Sequence, residues 1–242
     1  MAAKIHRSDL VHCPDAHGAV VVIDVLRAFT TAAVAFARGA SAIIAIDSLD
    51  ALGSLRVRYP GALAIGSKAG GAPVAGFDIG NSPSQADRMR LAGRIVILYT
   101  VGGVRGVASC TQATTVLAAG LANARATANH LLALAPPAVT LVVTGTWTDR
   151  DGDEDVACAD RIEAILRGDD PPGAPYSARV RASDFGRRFS AGTDPNLPQA
   201  DLDYCAAVDI FDFAMPIERT DGMLTITSVP VAPRTRPVPT AR

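Results

Sequence analysis

The sequence predicts an α/β protein built on a buried, mostly parallel sheet, and two stretches carry that expectation. Val20 to Ile23 run without a polar break into Asp24, and an unbroken apolar run of this kind marks a strand buried on both faces. As far as residue 65, apolar strands then alternate with helical patterns, as in parallel strands joined by right-handed crossovers. Composition sets the style of the core. Of the residues 49% are hydrophobic but only 5% aromatic, so Ala, Val, Leu and Ile must fill it.

Taken in order, residues 1–19 are a mixed segment whose pattern decides little. After the strand at 20–23, Phe29 to Arg38 reads as a helix, with Gly39 where a left-handed cap is wanted. Ser41 to Ile46 is a strand, and Asp47 or Ser48 caps a helix running to about Arg58. Leu63 to Ile65 makes a third strand. The segment 66–83 is rich in Gly and Pro and is long for a connection, which points to a functional loop.

Regularity returns with a strand at Ile95 to Leu98 and a short helix to Ser109. A strand at Thr114 to Ala118, a helix from Ala122 to Leu134 and a strand at Val139 to Val143 follow. A helix opens near Asp153 and runs to about Leu166, with carboxylates in its first turn, where the macrodipole favours them. Tyr176 to Phe189 and Leu202 to Val208 read as helices, and Ile210 to Phe213 and Met223 to Thr227 as strands. The expectation is one α/β domain over 1–228, with a loose echo between 18–92 and 93–228 that suggests duplication. Residues 229–242, rich in Pro and Arg, read as a disordered tail.

Several classes of function are disfavoured. With 23 basic and 24 acidic residues and no basic block, nothing calls for nucleic acid or an anionic membrane. The longest apolar stretch, near 131–143, is broken by Pro136 and Pro137 and is too short to span a bilayer. Cys13, Cys110, Cys158 and Cys205 form no CxxC pair, which favours free thiols in a reducing, cytoplasmic setting. No histidine spacing suggests a metal site.

The candidate chemistry gathers at strand ends, where open α/β sheets bind ligands. Asp24 falls at the end of the first strand with Arg27 in the turn; a carboxylate there needs a cation, a metal or backbone donors. Thr30 and Thr31 open the following helix, where hydroxyls can meet a phosphate or simply serve the helix start. GFDIGNSP, residues 76–83, supplies Asp78, Asn81 and Ser82 between flexible glycines. Thr100, Gly102 and Gly103 follow a strand and precede a helix, so their amides can cradle an oxyanion. The Lys-Ser/Thr ending of a nucleotide-triphosphate loop is missing.

Four stretches, VVVIDVLRAFTTA, GFDIGNSP, GDEDVACAD and YCAAVDIFDFAMPIE, occur in this order. Together they resemble the 2-phosphosulfolactate phosphatase family over roughly residues 18–228. The resemblance implies a three-layer α/β/α sandwich, Mg²⁺ dependence and hydrolysis of a small phosphorylated acid. By position, Asp24 and Arg27 match the first motif, Asp78, Asn81 and Ser82 the second, and Glu154, Asp155 and Cys158 the third. Two positions differ. Where the family has an acidic residue before a glycine pair, this chain has Lys68, then Ala69, Gly70 and Gly71, so the charge is reversed. Where it has a second hydroxyl in its T-x-x-G-T turn, this chain has Val104.

The reading that follows has Mg²⁺ held by Asp24 with Glu154 or Asp155. Arg27, Thr30, Thr31 and the glycine amides stabilise phosphoryl oxygens, and Lys68 adds charge beside the phosphate. Two alternatives stand next to it. Lys68, if buried, suits a base or Schiff-base role in lyase or hydrolase chemistry, and a pocket without catalysis suits an anion-binding pseudo-enzyme. The alanine-rich surfaces and sandwich edges also allow a homodimer.

Overall fold

The computed structural model describes residues 3–147 and 149–232. Its strands are β1 (Lys4–Asp9), β2 (Gly18–Ile23), β3 (Ala42–Ala45), β4 (Leu63–Gly66), β5 (Ile95–Tyr99), β6 (Ala113–Ala119), β7 (Ala138–Val143), β8 (Phe213–Thr220), β9 (Met223–Ile226) and β10 (Val229–Pro230). The helices between them are α1 (Ala28–Ala37), α2 (Ala51–Arg58), α3 (Pro83–Ala86), α4 (Gly103–Ser109), α5 (Ala124–Leu134), α6 (Asp153–Leu166), α7 (Ala174–Ala182), α8 (Asp184–Ala191) and α9 (Gln199–Cys205). None is long and apolar enough to cross a membrane.

Helices flank a large central sheet with the order β1-β7-β2-β6-β8-β9-β3-β5-β4, and β10 adds to β8. The α/β class stands, with a topology that the crossover pattern did not anticipate. β2 pairs in parallel with β6 and β7, whereas β3 pairs with β5 on one side and β9 on the other. Three successive antiparallel pairings, β6–β8, β8–β9 and β9–β3, reverse the strand direction. The β3-β5-β4 block therefore runs opposite to the β1-β7-β2-β6 block. The segments 18–92 and 93–228 also interleave, because β2 lies between two later strands and β5 between two earlier ones.

The packing shows how the two blocks are joined. Val20 and Val22 point to one side of β2 and Ala19, Val21 and Ile23 to the other, as the period of two requires. On the first side lies α1, buried from Ala28 to Phe36 without an exposed face. A helix apolar all round belongs inside a core, and its five alanines let strands approach closely. Inward residues of β2, β3, β4, β5, β6, β8 and β9 join α1 in one cluster, so the sheet curls around this helix. That curl carries the loop after β5 to the loop after β2. On the opposite side Leu131, Ile162 and Phe189, from α5, α6 and α8, cover Val21 and Ile23.

Three local expectations are corrected. The helix expected over 176–189 is two helices, because Ser183 turns extended (ψ 160°) and its hydroxyl accepts from the Gly186 amide at 3.0 Å as the cap of α8. The strand expected at Ile210 to Phe213 begins only at Phe213, after Asp209 takes a positive φ of 53°. Val229 and Pro230, read as the start of a disordered tail, pair with Ala214 and Phe213. Residues 233–242 lie outside the described residues.

Candidate active site

The central acid of the site is positioned by strand and helix ends. β2 stops at Ile23, Asp24 follows directly, and α1 starts four residues later. The Asp24 carboxylate accepts from two backbone amides, Ala28 N–H (3.0 Å) at Oδ1 and Gly103 N–H (2.8 Å) at Oδ2. It thus joins the N-termini of α1 and α4, where partial positive charge favours an anion. Burial still pushes its carboxyl above the usual range, against the pull of those amides and of Arg150 and Arg27.

A second carboxylate closes the same space from α6. Asp155 Oδ1 accepts from Val25 N–H (2.7 Å) and Oδ2 from Thr144 N–H (3.0 Å), tying the ends of β2 and β7 together. Burial first, then the charges of Asp24 and Glu154, hold Asp155 well above the ordinary carboxylate value. Glu154 is only 1% exposed, and burial pushes its carboxyl up to about 7. Its Oε2 has no hydrogen-bond partner among the described residues. Gly145 makes room for the pair, since a Cβ there would lie 2.9 Å from Glu154 Oε1 and 3.1 Å from Asp155 Oδ2.

Three carboxylates raised by burial, one of them also by the charges of the other two, favour a positive charge beside them. Among the described residues no three His, Cys, Asp or Glu side chains form a complete metal cage. Mg²⁺ needs none, because it is commonly held by one or two carboxylates with water and a phosphate completing the shell. The hard-oxygen donor set, and the unpartnered Glu154 oxygen within it, fit that ion.

Cationic groups face the acids across a cavity of about 130 Å³. Arg27 is 4% exposed, donates to Asp201 Oδ2 at 2.7 Å and stacks 5.1 Å from the Phe189 ring centre. Gly71, at φ +85°, lets its loop approach that guanidinium, because a Cβ would stand 2.8 Å from Arg27 Nη2. Asp24, Arg27, Lys68, Asn81, Thr100, Gly102, Glu154 and Asp155 all line this one cavity, so most of the candidate residues meet there. Lys68 is exposed at its rim, and the buried amine required for Schiff-base chemistry is not what the fold supplies. Asn81 Oδ1 is buried without a partner among the described residues.

The other candidates serve the framework. Thr30 donates its hydroxyl to Val25 C=O (2.8 Å), and the Thr31 hydroxyl is buried in α1 with no hydrogen-bond partner among the described residues; neither lines the cavity. The Gly103 amide is spent on Asp24 instead of an external oxyanion. Asp78 accepts from Arg56 (2.9 Å) and the Ala64 amide (2.8 Å), fastening its loop to β4. Ser82 caps α3 and donates to Asp201 Oδ1 (2.8 Å). Cys158, one turn after Glu154, lies fully buried in the core. Asp201, Arg150, Arg188, Trp147 and Phe185 were absent from the sequence expectations. All but Asp201 line the cavity, and Asp201 is hidden behind Arg27.

Buried acids and guanidinium groups converging at strand ends make a site for an anionic ester, and by family the protein is a phosphoric monoester hydrolase. The family model described as 2-phosphosulpholactate phosphatase matches residues 5–220. A relative from Bacillus subtilis, named probable 2-phosphosulfolactate phosphatase, is 30% identical over 210 residues, 86% of this chain and 91% of its own. Relatives with the same name from Synechocystis and Carboxydothermus hydrogenoformans are each 34% identical, over 85% and 87% of this chain and 90% of their own. The chain belongs to the 2-phosphosulfolactate phosphatase family.

Proposed function

We propose that this protein hydrolyses the phosphate ester of a small phosphorylated 2-hydroxy acid, as the relatives' names specify for 2-phosphosulfolactate, with the help of Mg²⁺. The reading is carried by one observation: Asp24, Glu154 and Asp155 share a single small cavity with the buried Arg27 guanidinium. A cavity of about 130 Å³ suits a small ester. Four buried free cysteines support a reducing, cytoplasmic setting.

Glu154, backed by Asp24 and Asp155, is the residue that would hold the ion, which when bound supplies Lewis-acid polarisation of a phosphoryl oxygen. Arg27 binds the other phosphoryl oxygens; its planar fork matches phosphate, and Asp201 holds it in place. Such preset donors stabilise the charge that develops in phosphoryl transfer without reorganising. Asn81 adds to the cavity lining a buried acceptor with no hydrogen-bond partner among the described residues. Lys68 sits at the mouth, where an ammonium draws anionic substrate inward.

Phosphate release from a panel of phosphomonoesters, with Mg²⁺ and with chelator, tests the reading. Turnover confined to small acid esters and abolished by chelation is expected. Turnover on none of them overturns it.

A further inference from the structure

Among the described residues three arginines line the cavity, and two of them already hold carboxylates. Arg27 is paired with Asp201 and Arg188 with Asp149. Arg150 makes no ion pair among the described residues, and its buried Nε has no hydrogen-bond partner there. Aromatic faces hold it instead. Its guanidinium carbon lies 4.5 Å from the Phe185 ring centre and 5.3 Å from that of Trp147. A guanidinium stacked in this way keeps the donors along its edge open.

The described residues next to it are hydrogen-bonded to one another and to α8. Trp147 and Arg150 exchange backbone hydrogen bonds of 3.2 and 3.3 Å. The Asp151 amide donates to Asp184 Oδ2 (3.0 Å) and the Asp184 amide to Asp151 Oδ1 (3.2 Å), binding the loop to α8. The same helix backs two of these guanidinium groups. Phe189 supports Arg27 and Phe185, one turn earlier, supports Arg150, with the two rings 5.2 Å apart. The cavity therefore has two arginines on adjacent supports, one paired with Asp201 and one with no ion-pair partner among the described residues.

We propose that Arg150 is the specificity-determining residue of this site, receiving a second, non-reacting acid group of the substrate, a carboxylate or sulfonate, while Arg27 holds the phosphoryl group. The inference rests on the phosphatase reading and adds the feature by which the substrate is chosen. Burying an open guanidinium edge is unfavourable until a ligand brings acceptors to it, so an ester with that acid group gains an interaction that a neutral ester lacks.

The test compares two esters that differ only in the acid group, 2-phospholactate and isopropyl phosphate, on the Mg²⁺-loaded wild type, Arg150→Gln and Arg150→Lys. A charged hydrogen bond of the usual strength corresponds to a KM for phospholactate raised about 10–100-fold in Arg150→Gln. Lys is expected to recover part of the loss, and the change for isopropyl phosphate is expected to be much smaller than that for phospholactate in every variant. Equal losses on both esters would place Arg150 on the phosphoryl group and overturn the inference, as would unchanged selectivity. If the wild type hydrolyses neither ester, the phosphatase reading fails separately. Calorimetric binding of 2-phospholactate then decides for Arg150: affinity lost in Arg150→Gln supports it, and affinity retained overturns it.

Discussion

Arg27 Nη1 donates to Asp201 Oδ2 across 2.7 Å, and both side chains are buried, at 4% and 0% exposure. Asp201 uses its other oxygen to accept from the Ser82 hydroxyl and the Ser84 amide, at 2.8 and 2.9 Å. One carboxylate thus fixes the cavity's main cation and anchors the loop that brings Asn81 to it. Removing half of a buried pair leaves an uncompensated charge, so Asp201→Ala is expected to cost about 3–5 kcal/mol in urea unfolding. The double change Arg27→Met with Asp201→Leu is expected to recover part of that stability and no phosphate release. Recovery of activity in the double variant would count against a role for Arg27.

The acid cluster makes stability depend on pH in a defined direction. Glu154 is raised from 4.5 in the unfolded chain to about 7 by burial. A group raised on folding contributes stability that is complete below its unfolded value and lost as pH climbs through its folded value. The window is therefore pH 4.5 to 7, and the loss is about 3 kcal/mol. Asp24 and Asp155, raised in the same direction, steepen it. Chelated wild type is expected to lose thermal stability across this window, and Glu154→Gln to flatten the profile.

Gly145 supplies the space that the two acids of α6 occupy. Gly145→Ala pushes Glu154 and Asp155 from their places, and misplacement of about an ångström in a catalytic group costs about 100-fold in rate. Steady-state kinetics are expected to show that fall in kcat. A variant with wild-type kcat would mean that the carboxylates tolerate the shift.

Cys158 gives the opposite expectation. It is buried in the core, one turn from Glu154 and away from the cavity, so Cys158→Ala should lower stability by about 1 kcal/mol. KM is expected to stay at the wild-type value, and a raised KM would return the thiol to the binding site.

The sequence was most legible where local patterns report burial. The run from Val20 to Ile23 located β2, and with it Asp24, Arg27 and the start of α1, because an apolar strand between helices has no other place to go. Carboxylates in the first turn of α6 were legible for the same local reason, although their use was not: Asp155 clamps two strand ends, and Glu154 keeps an oxygen open. Asp201 was invisible because its partner lies 174 positions away and its own stretch, QADLDYC, reads as an ordinary helix. The partners of Gly103 and Thr30 were not legible, because helix-end donors look alike in sequence whether they await a ligand or already serve Asp24 and Val25. The antiparallel β8–β9 insertion, which curls the sheet around α1, leaves no signal in the strand and helix alternation before it.

Phosphate release from 2-phospholactate during a Mg²⁺ titration, run side by side on the wild type and Glu154→Gln at matched folded fractions, is the most direct test of the shared carboxylate and guanidinium cavity. Saturable stimulation by Mg²⁺ in the wild type, absent in Glu154→Gln, is the outcome that the cavity requires. Equal release from both proteins, indifferent to Mg²⁺, would contradict it.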